Sequence, residues 1–249
     1  MNAFLDAFAW IFDPAHYSGS SSIPLRLGEH VSYSLITLVI AAAIALPIGF
    51  AVGHFGRGTA LSVQVSGALR ALPTLGLVIF LALVIPGPLG LVPPLIALVV
   101  LAVPPVLAGA YSALAAVDRA TIDAARAVGM TEWQILWKVE IPLGLPLIIG
   151  GLRSATLQII ATWTVAAILP LGGLGRYLYD ALAVRDYPQM LAGSILVIVL
   201  ALVVDGLFAL VQKAVVPRGV TQGRTSEVGD RIQRRRRTVP GSIGNGVAG

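Results

Sequence analysis

Between Val31 and Tyr111 the sequence carries only two formal charges, Arg57 and Arg70. So long a stretch cannot face water, and its backbone polar groups must then be satisfied within the chain itself. The whole chain agrees: 57% of its 249 residues are hydrophobic and 12% charged, where a soluble domain carries about 25% charged. Lipid must cover much of the surface. A helical crossing of the bilayer core takes roughly 20 apolar residues, and five stretches are long enough: 32–53, 71–86, 91–114, 145–169 and 190–212. The runs are continuous rather than alternating, which argues against a β-barrel. Helices satisfy every backbone group locally, so the expected fold is an all-α polytopic bundle of about five spans, with kinks or interruptions at Pro47, Pro73, Pro104 and Pro105.

Loop cations set the expected orientation. Five spans place the termini on opposite sides. Arg57, Arg119, Arg126, Lys138, Lys213 and the tail fall on one side, and Arg26, Arg176 and Arg185 on the other. The first side is therefore expected to be cytoplasmic, with the N-terminus outside. Residues 1–17 contain Asp6 and Asp13 but no Lys or Arg, unlike a cleavable signal peptide. Phe4, Phe8 and Trp10 suit either an interfacial helix ending at Asp13-Pro14 or a packed outer cap. The expected organisation is an outward-facing segment 1–28, a transmembrane domain 29–216 and a disordered basic tail 217–249. Arg234–Arg237 reads as part of a solvated cytoplasmic tail rather than as a nucleic-acid site.

Several chemistries are not supported. The chain has no Cys, which removes disulfides and thiolate metal sites. His16, His30 and His54 lack metal-ligand spacing. Gly172–Gly175 follows no strand and reads as a turn, not a phosphate loop. There is no Walker A sequence and no convincing catalytic constellation, so no cofactor is expected and any ATP hydrolysis falls to a partner.

The loop 117–146 is too polar to span and too patterned to be a linker. Asp118 suits the N-cap of a helix running to Val128, with Gly129 at its exit. Thr131 and Gln134 fit a capping box opening a second short helix, which Pro142 is expected to end. Ala120, Ala124, Ala125 and Ala127 in the first helix would let another surface approach its backbone closely.

Asp123-Ala124-Ala125, three residues, Gly129, nine residues, then Val139-x-Ile141-Pro142 resembles the EAA motif of type I ATP-binding-cassette (ABC) importer permeases, with Asp123 in place of Glu, Val139 of Ile and Ile141 of Leu. The resemblance runs from about Leu27 to Val216. It is nearest to the osmoprotectant branch, which imports glycine betaine, carnitine or choline, through segments such as Leu72-Pro73-Thr74-Leu75, Ala125-Arg126-Ala127-Val128-Gly129-Met130 and Gly150-Gly151-Leu152-Arg153. Permeases for methionine, sulfonates and phosphonates share several of these. The resemblance implies a MetI-like fold and a dimer of permease subunits, made of this chain twice or with a paralogue. It also implies two cytoplasmic ATPase subunits docking on Asp123 to Gly129, and an extracytoplasmic substrate-binding protein. A secondary transporter is the alternative class.

Within the spans, Ser154, Gln158 and Thr162 recur at i, i+4 and i+8 on one helical face, with Trp163 beside them. Such a stripe reads equally as a translocation path or as interhelical glue. Trp163 would offer a cation–π surface to a quaternary ammonium. Arg70, Arg153 and Asp205 are the costly intramembrane charges, and Asp205 is expected to pair with Arg153 or Arg70.

Overall fold

The computed structural model describes residues 3–85 and 90–215, and every regular element among them is helical. The tail 217–249 and most of the 86–90 turn lie outside the described residues. An N-terminal helix α1 (Ala3–Phe12) and a short 3₁₀ turn (Pro14–Tyr17) precede α2 (Ile23–Phe55). Then come α3 (Thr59–Arg70), α4 (Thr74–Val84) and α5 (Val92–Ala115). The surface loop holds α6 (Arg119–Ala127) and α7 (Glu132–Ile135), followed by α8 (Ile141–Ala166), α9 (Gly175–Val184) and α10 (Tyr187–Val215).

Contacts fix the direction of each crossing. Gly49 faces Ala110 and Gly53 faces Leu114, so α2 and α5 run parallel. The chain must therefore cross back between them, which α3 and α4 do together. They are bent by 82° at the break over Ala71 to Pro73, so the expected span 71–86 is two angled pieces, the first starting at Thr59. Gly144 faces Ala113 and Gly151 faces Gly109, which makes α8 antiparallel to α5. Arg153 meets Asp205 and Gln212 meets Pro146, which makes α10 antiparallel to α8. The result is five crossings. The ends of α2, α5 and α10, the start of α8 and the α6–α7 loop share one face. Helices α1 and α9 lie on the other, where Ala7 and Ile11 of α1 pack on Ala192. Phe4 and Phe8 of α1 stay exposed. Helix α2 starts at Ile23, inside the stretch expected to be a separate N-terminal segment.

Of the interruptions expected at prolines, one is found. Pro47, Pro104 and Pro105 lie within unbroken helices, and only Pro73 stands at a break. A helical proline orphans the carbonyl four residues earlier, and neighbouring helices can satisfy it. Pro105 orphans Leu101, and the Gln158 amide of α8 donates to that carbonyl at 3.1 Å.

Small residues line the crossings. The buried core gathers Ala41, Val78, Ala97, Leu98, Ala102, Ile159, Trp163 and Ala166 from α2, α4, α5 and α8. Lipid tails are as apolar as leucine, so burial alone gives helices little reason to associate. Close backbone packing does, as at the Gly109–Gly151 crossing, where a Cβ on either glycine would lie 2.7–2.8 Å from the other's Cα.

Candidate functional site

The α6–α7 loop is built by local signals. The Asp118 carboxylate accepts from the Ala120 N–H at 3.0 Å and caps α6. The helix ends where Gly129 takes φ +85°, while the Met130 N–H reaches back to the Ala125 carbonyl at 3.2 Å. The Thr131 hydroxyl and the Gln134 side chain form a reciprocal capping box at α7. Val117, Ile122, Ala125 and Ile135 close a small core beneath the loop, with Met130 and Val139 against it.

This arrangement divides the motif. Asp123 and Ala124 are exposed along with Ala120 and Ala127, whereas Ala125 points inward. Val139 packs under the loop and Ile141 packs beside Ala113, Leu114 and Ile148. Pro142 does not end the second helix. The chain stays helical from Glu132 to Ala166 through a π turn at Leu136–Glu140. There the Ile141 N–H bonds the Leu136 carbonyl, and the wider turn passes the proline's missing donor without a break. The loop is thereby joined directly to span four.

A chain of charges runs through the same region. Arg126 donates to Glu132 at 2.7 and 3.1 Å and to Asp123 at 3.3 Å. Its guanidinium is held as a cation above its ordinary range, first by the Glu132 hydrogen bond. Glu132 also faces His54 Nε2 at 3.4 Å, and His54 Nδ1 bonds Glu140. The His54 and Glu140 side chains are 6% and 3% exposed. In the sequence His54 stood out only as a metal-ligand candidate without partners, and Glu132 and Glu140 carried no assigned role. The only signal was Glu140 itself, a lone charge between Val139 and Ile141 at the mouth of an apolar run. Beside His54 lies an apolar cavity of about 630 Å³, walled by Leu46, Pro47 and Phe50 of α2 and by Trp133, Leu136 and Trp137.

At the opposite face a second network pins the 170–175 turn to the start of α2. Glu29 accepts from the Gly173 N–H at 2.8 Å and from Arg26 at 3.1 Å, and the Tyr33 hydroxyl donates to the Leu171 carbonyl at 2.9 Å. Gly172 and Gly173 adopt φ of +95° and +77° there, which favours glycine. Burial pushes the Tyr177 phenol up to about 12. It stays a donor to the Ser21 carbonyl, at 2.7 Å.

The polar stripe of α8 is dispersed in this conformation. Gln158 serves the Leu101 carbonyl, and Thr162 bonds back to the Gln158 carbonyl within its own helix at 2.8 Å. Ser154 is exposed on the bundle surface. Trp163 is 3% exposed, donates to the Thr37 hydroxyl at 3.0 Å and lies against Tyr33. Its ring offers a ligand no open face in this conformation. Trp163→Ala is expected to lower stability by about 3 kcal/mol through the cavity it leaves, read as a loss of thermal stability in detergent, while Trp163→Phe costs less. Asp205 pairs with Arg153 through two bonds of 2.5 and 2.6 Å. Arg70 ends α3 on the surface with no ion pair among the described residues.

Five crossings, small-residue helix contacts and a surface loop helically continuous with span four define a polytopic helical membrane protein. The family described as binding-protein-dependent transport system inner membrane component matches residues 31–217, and the chain belongs to that family. It is 30% identical over 195 residues to the glycine betaine/carnitine/choline transport system permease protein OpuCB of Bacillus subtilis (strain 168), covering 78% of this chain and 89% of that one. It is 29% identical over 222 residues to the osmoprotectant import permease protein OsmW of Salmonella typhimurium (strain LT2), covering 87% of this chain and all of that one. Among solved structures, the inward-facing MetNI methionine ABC transporter matches with a TM-score of 0.68 at 22% identity, covering 76% of this chain and 94% of that one. That likeness shows the fold.

Proposed function

We propose that this chain is the permease subunit of an ATP-driven importer for osmoprotectants of the glycine betaine, carnitine and choline type. The observation that carries the reading is the similarity to osmoprotectant permeases over most of both chains, together with an exposed Asp123–Ala124 face on a loop continuous with span four. The face bearing α6 and α7 is the cytoplasmic one, since it carries Arg57, Arg119, Arg126, Lys138 and Lys213, against Arg26, Arg176 and Arg185 at the other. Residues 29–216 act as the permease domain and α1 as an outer cap. Two ATPase subunits dock on α6 of two permease subunits, and a binding protein delivers solute to the outer face, where Glu29 and Tyr33 hold the 170–175 turn. Nucleotide and binding protein favour different states of the bundle, and that difference in affinity drives alternating access.

Co-purification of the ATPase with the permease tests this reading. Gly129 takes φ +85° and has open space where a Cβ would go. Gly129→Asp therefore strains the turn at a cost of about 1–2 kcal/mol and adds a charge beside the docking face without disturbing the bundle. The expected result is a folded permease that retains less than about a tenth of its ATPase, a loss of ~1.4 kcal/mol or more in association. Full retention would move the docking surface elsewhere. Uptake of labelled glycine betaine into proteoliposomes, competed by choline but not by methionine, checks the substrate class.

A further inference from the structure

Asp123, Arg126, Glu132, His54 and Glu140 form one continuous series of contacts at ion-pair distance, which passes from α6 through α7 and the last turn of α2 to the base of α8. We propose that His54 is a positioning residue of the transport cycle, a cationic clip that ties the loop to spans one and four so that movement of α6 reaches the bundle. The proposal rests on the reading of 117–146 as the ATPase-coupling loop.

Both ring nitrogens of His54 face carboxylates, Nδ1 toward Glu140 and Nε2 toward Glu132. A neutral imidazole has one N–H and one lone pair, so one nitrogen would confront a carboxylate with no proton between them. An imidazolium meets both carboxylates with positive charge, hydrogen-bonded to Glu140 through Nδ1 and facing Glu132 across 3.4 Å at Nε2. Glu140 is almost wholly buried, and a carboxylate there needs a cationic partner. Its partner is His54, and Arg119 of α6 lies near the same end of α2, beside Gly56. Two joints in the loop make such a clip useful. Helix α6 stops at Gly129 before α7 begins, and the α-helical pattern is broken again by the π turn at Leu136–Glu140, a form frequent at functional sites. Without the polar series, only the small cluster under α6 would carry a displacement past those joints.

The cation, not the ring, is what the position requires. His54→Gln keeps a similar volume but offers a carbonyl to one carboxylate and leaves Glu140 without a counter-charge. His54→Arg keeps the charge and can donate to both acids. The apolar cavity of about 630 Å³ lined in part by His54 leaves room for its extra length.

The test uses the full complex of permease, ATPase and binding protein in proteoliposomes, measuring glycine betaine imported per ATP hydrolysed. In His54→Gln the ATPase still co-purifies, while solute moved per ATP falls about tenfold, the scale of losing one charge-assisted hydrogen bond. His54→Arg recovers coupling to within about twofold of the native chain. Native coupling in His54→Gln overturns the proposal. So does equal loss in the glutamine and arginine variants, since that marks packing rather than charge. If His54→Gln does not fold, Glu140→Gln removes the same pair from the other side with unchanged shape, and a normal import ratio in that variant is equally fatal. The absence of native cysteines permits a further reading with spin labels at positions 57 and 128. The distance between them should broaden in either glutamine variant and stay narrow in the arginine one. Failure of the native complex to bind an ATPase would instead remove the coupling-loop reading itself.

Discussion

Gly151→Val is expected to leave almost no folded protein in the membrane, whereas Gly150→Val, one residue away, should fold like the native chain. A Cβ on Gly151 would lie 2.8 Å from the Gly109 Cα and 3.0 Å from the Pro105 carbonyl oxygen. Both obstacles are backbone atoms of α5, so no rotamer change relieves them. The helices would have to separate, and separation also pulls Gln158 from the Leu101 carbonyl that Pro105 orphans. Overpacking costs about 1–3 kcal/mol where side chains can give way. Here they cannot, and the loss should exceed that range. Nothing lies within 4 Å of a Cβ built on Gly150, which makes it the matched control for composition and hydropathy. Folded yield by size-exclusion chromatography in detergent reads both. A well-folded Gly151→Val would mean that α5 and α8 do not cross where the structure puts them.

That contact shows which parts of the fold could be read from the chain. The crossings were legible because lipid imposes a one-dimensional rule, a long apolar run free of charge, and five such runs stand out. The α6–α7 loop was legible because caps are local. Asp118, Gly129, Thr131 and Gln134 each act within a few residues, and each does in the structure what its type and spacing suggest. What failed was reasoning about residues whose partners are distant in sequence. Pro105 looked like a helix breaker because the Gln158 amide that compensates for it is 57 residues from Leu101. Pro142 looked like a stop because a π turn is invisible in composition. His54 and Glu140 are 86 residues apart, and neither has a local pattern to connect them. Ala125 was grouped with its neighbours as docking surface, yet the helical phase of α6 turns it toward Ile122 and Ile135. Gly109 drew no attention among the apolar residues of α5, since a glycine's partner is known only once the opposing helix is placed.

A partner for Asp205, either Arg153 or Arg70, was expected from cost alone; Arg153 is that partner, and the pair sets the last expectation. The pair lies about 10–12 Å into spans four and five, at 1.5 Å per residue from positions 145 and 212, inside a bilayer core of about 30 Å. Helix α10 has little else at this end. Its buried residues, Ala192 and Gly193, lie near its start, and Leu202, Val203, Leu207 and Leu210 are exposed. Toward its end the Gln212 amide donates to the Pro146 carbonyl at 3.2 Å. Asp205→Asn should therefore cut folded yield several-fold, because it leaves the Arg153 guanidinium at membrane depth without its counter-ion. The double replacement Arg153→Leu with Asp205→Leu should recover most of that yield, since two apolar side chains in lipid leave no charge to compensate. A charge exchange, Arg153→Asp with Asp205→Arg, should recover it in part. If neither double variant is better than Asp205→Asn, the two residues do not act as a pair. Recovery of folding also makes the role of the pair measurable. Native import by the leucine pair would mean that the ion pair only anchors α10. Lost import by a well-folded leucine pair would mean that breaking and reforming this bond belongs to the movement of span five against span four.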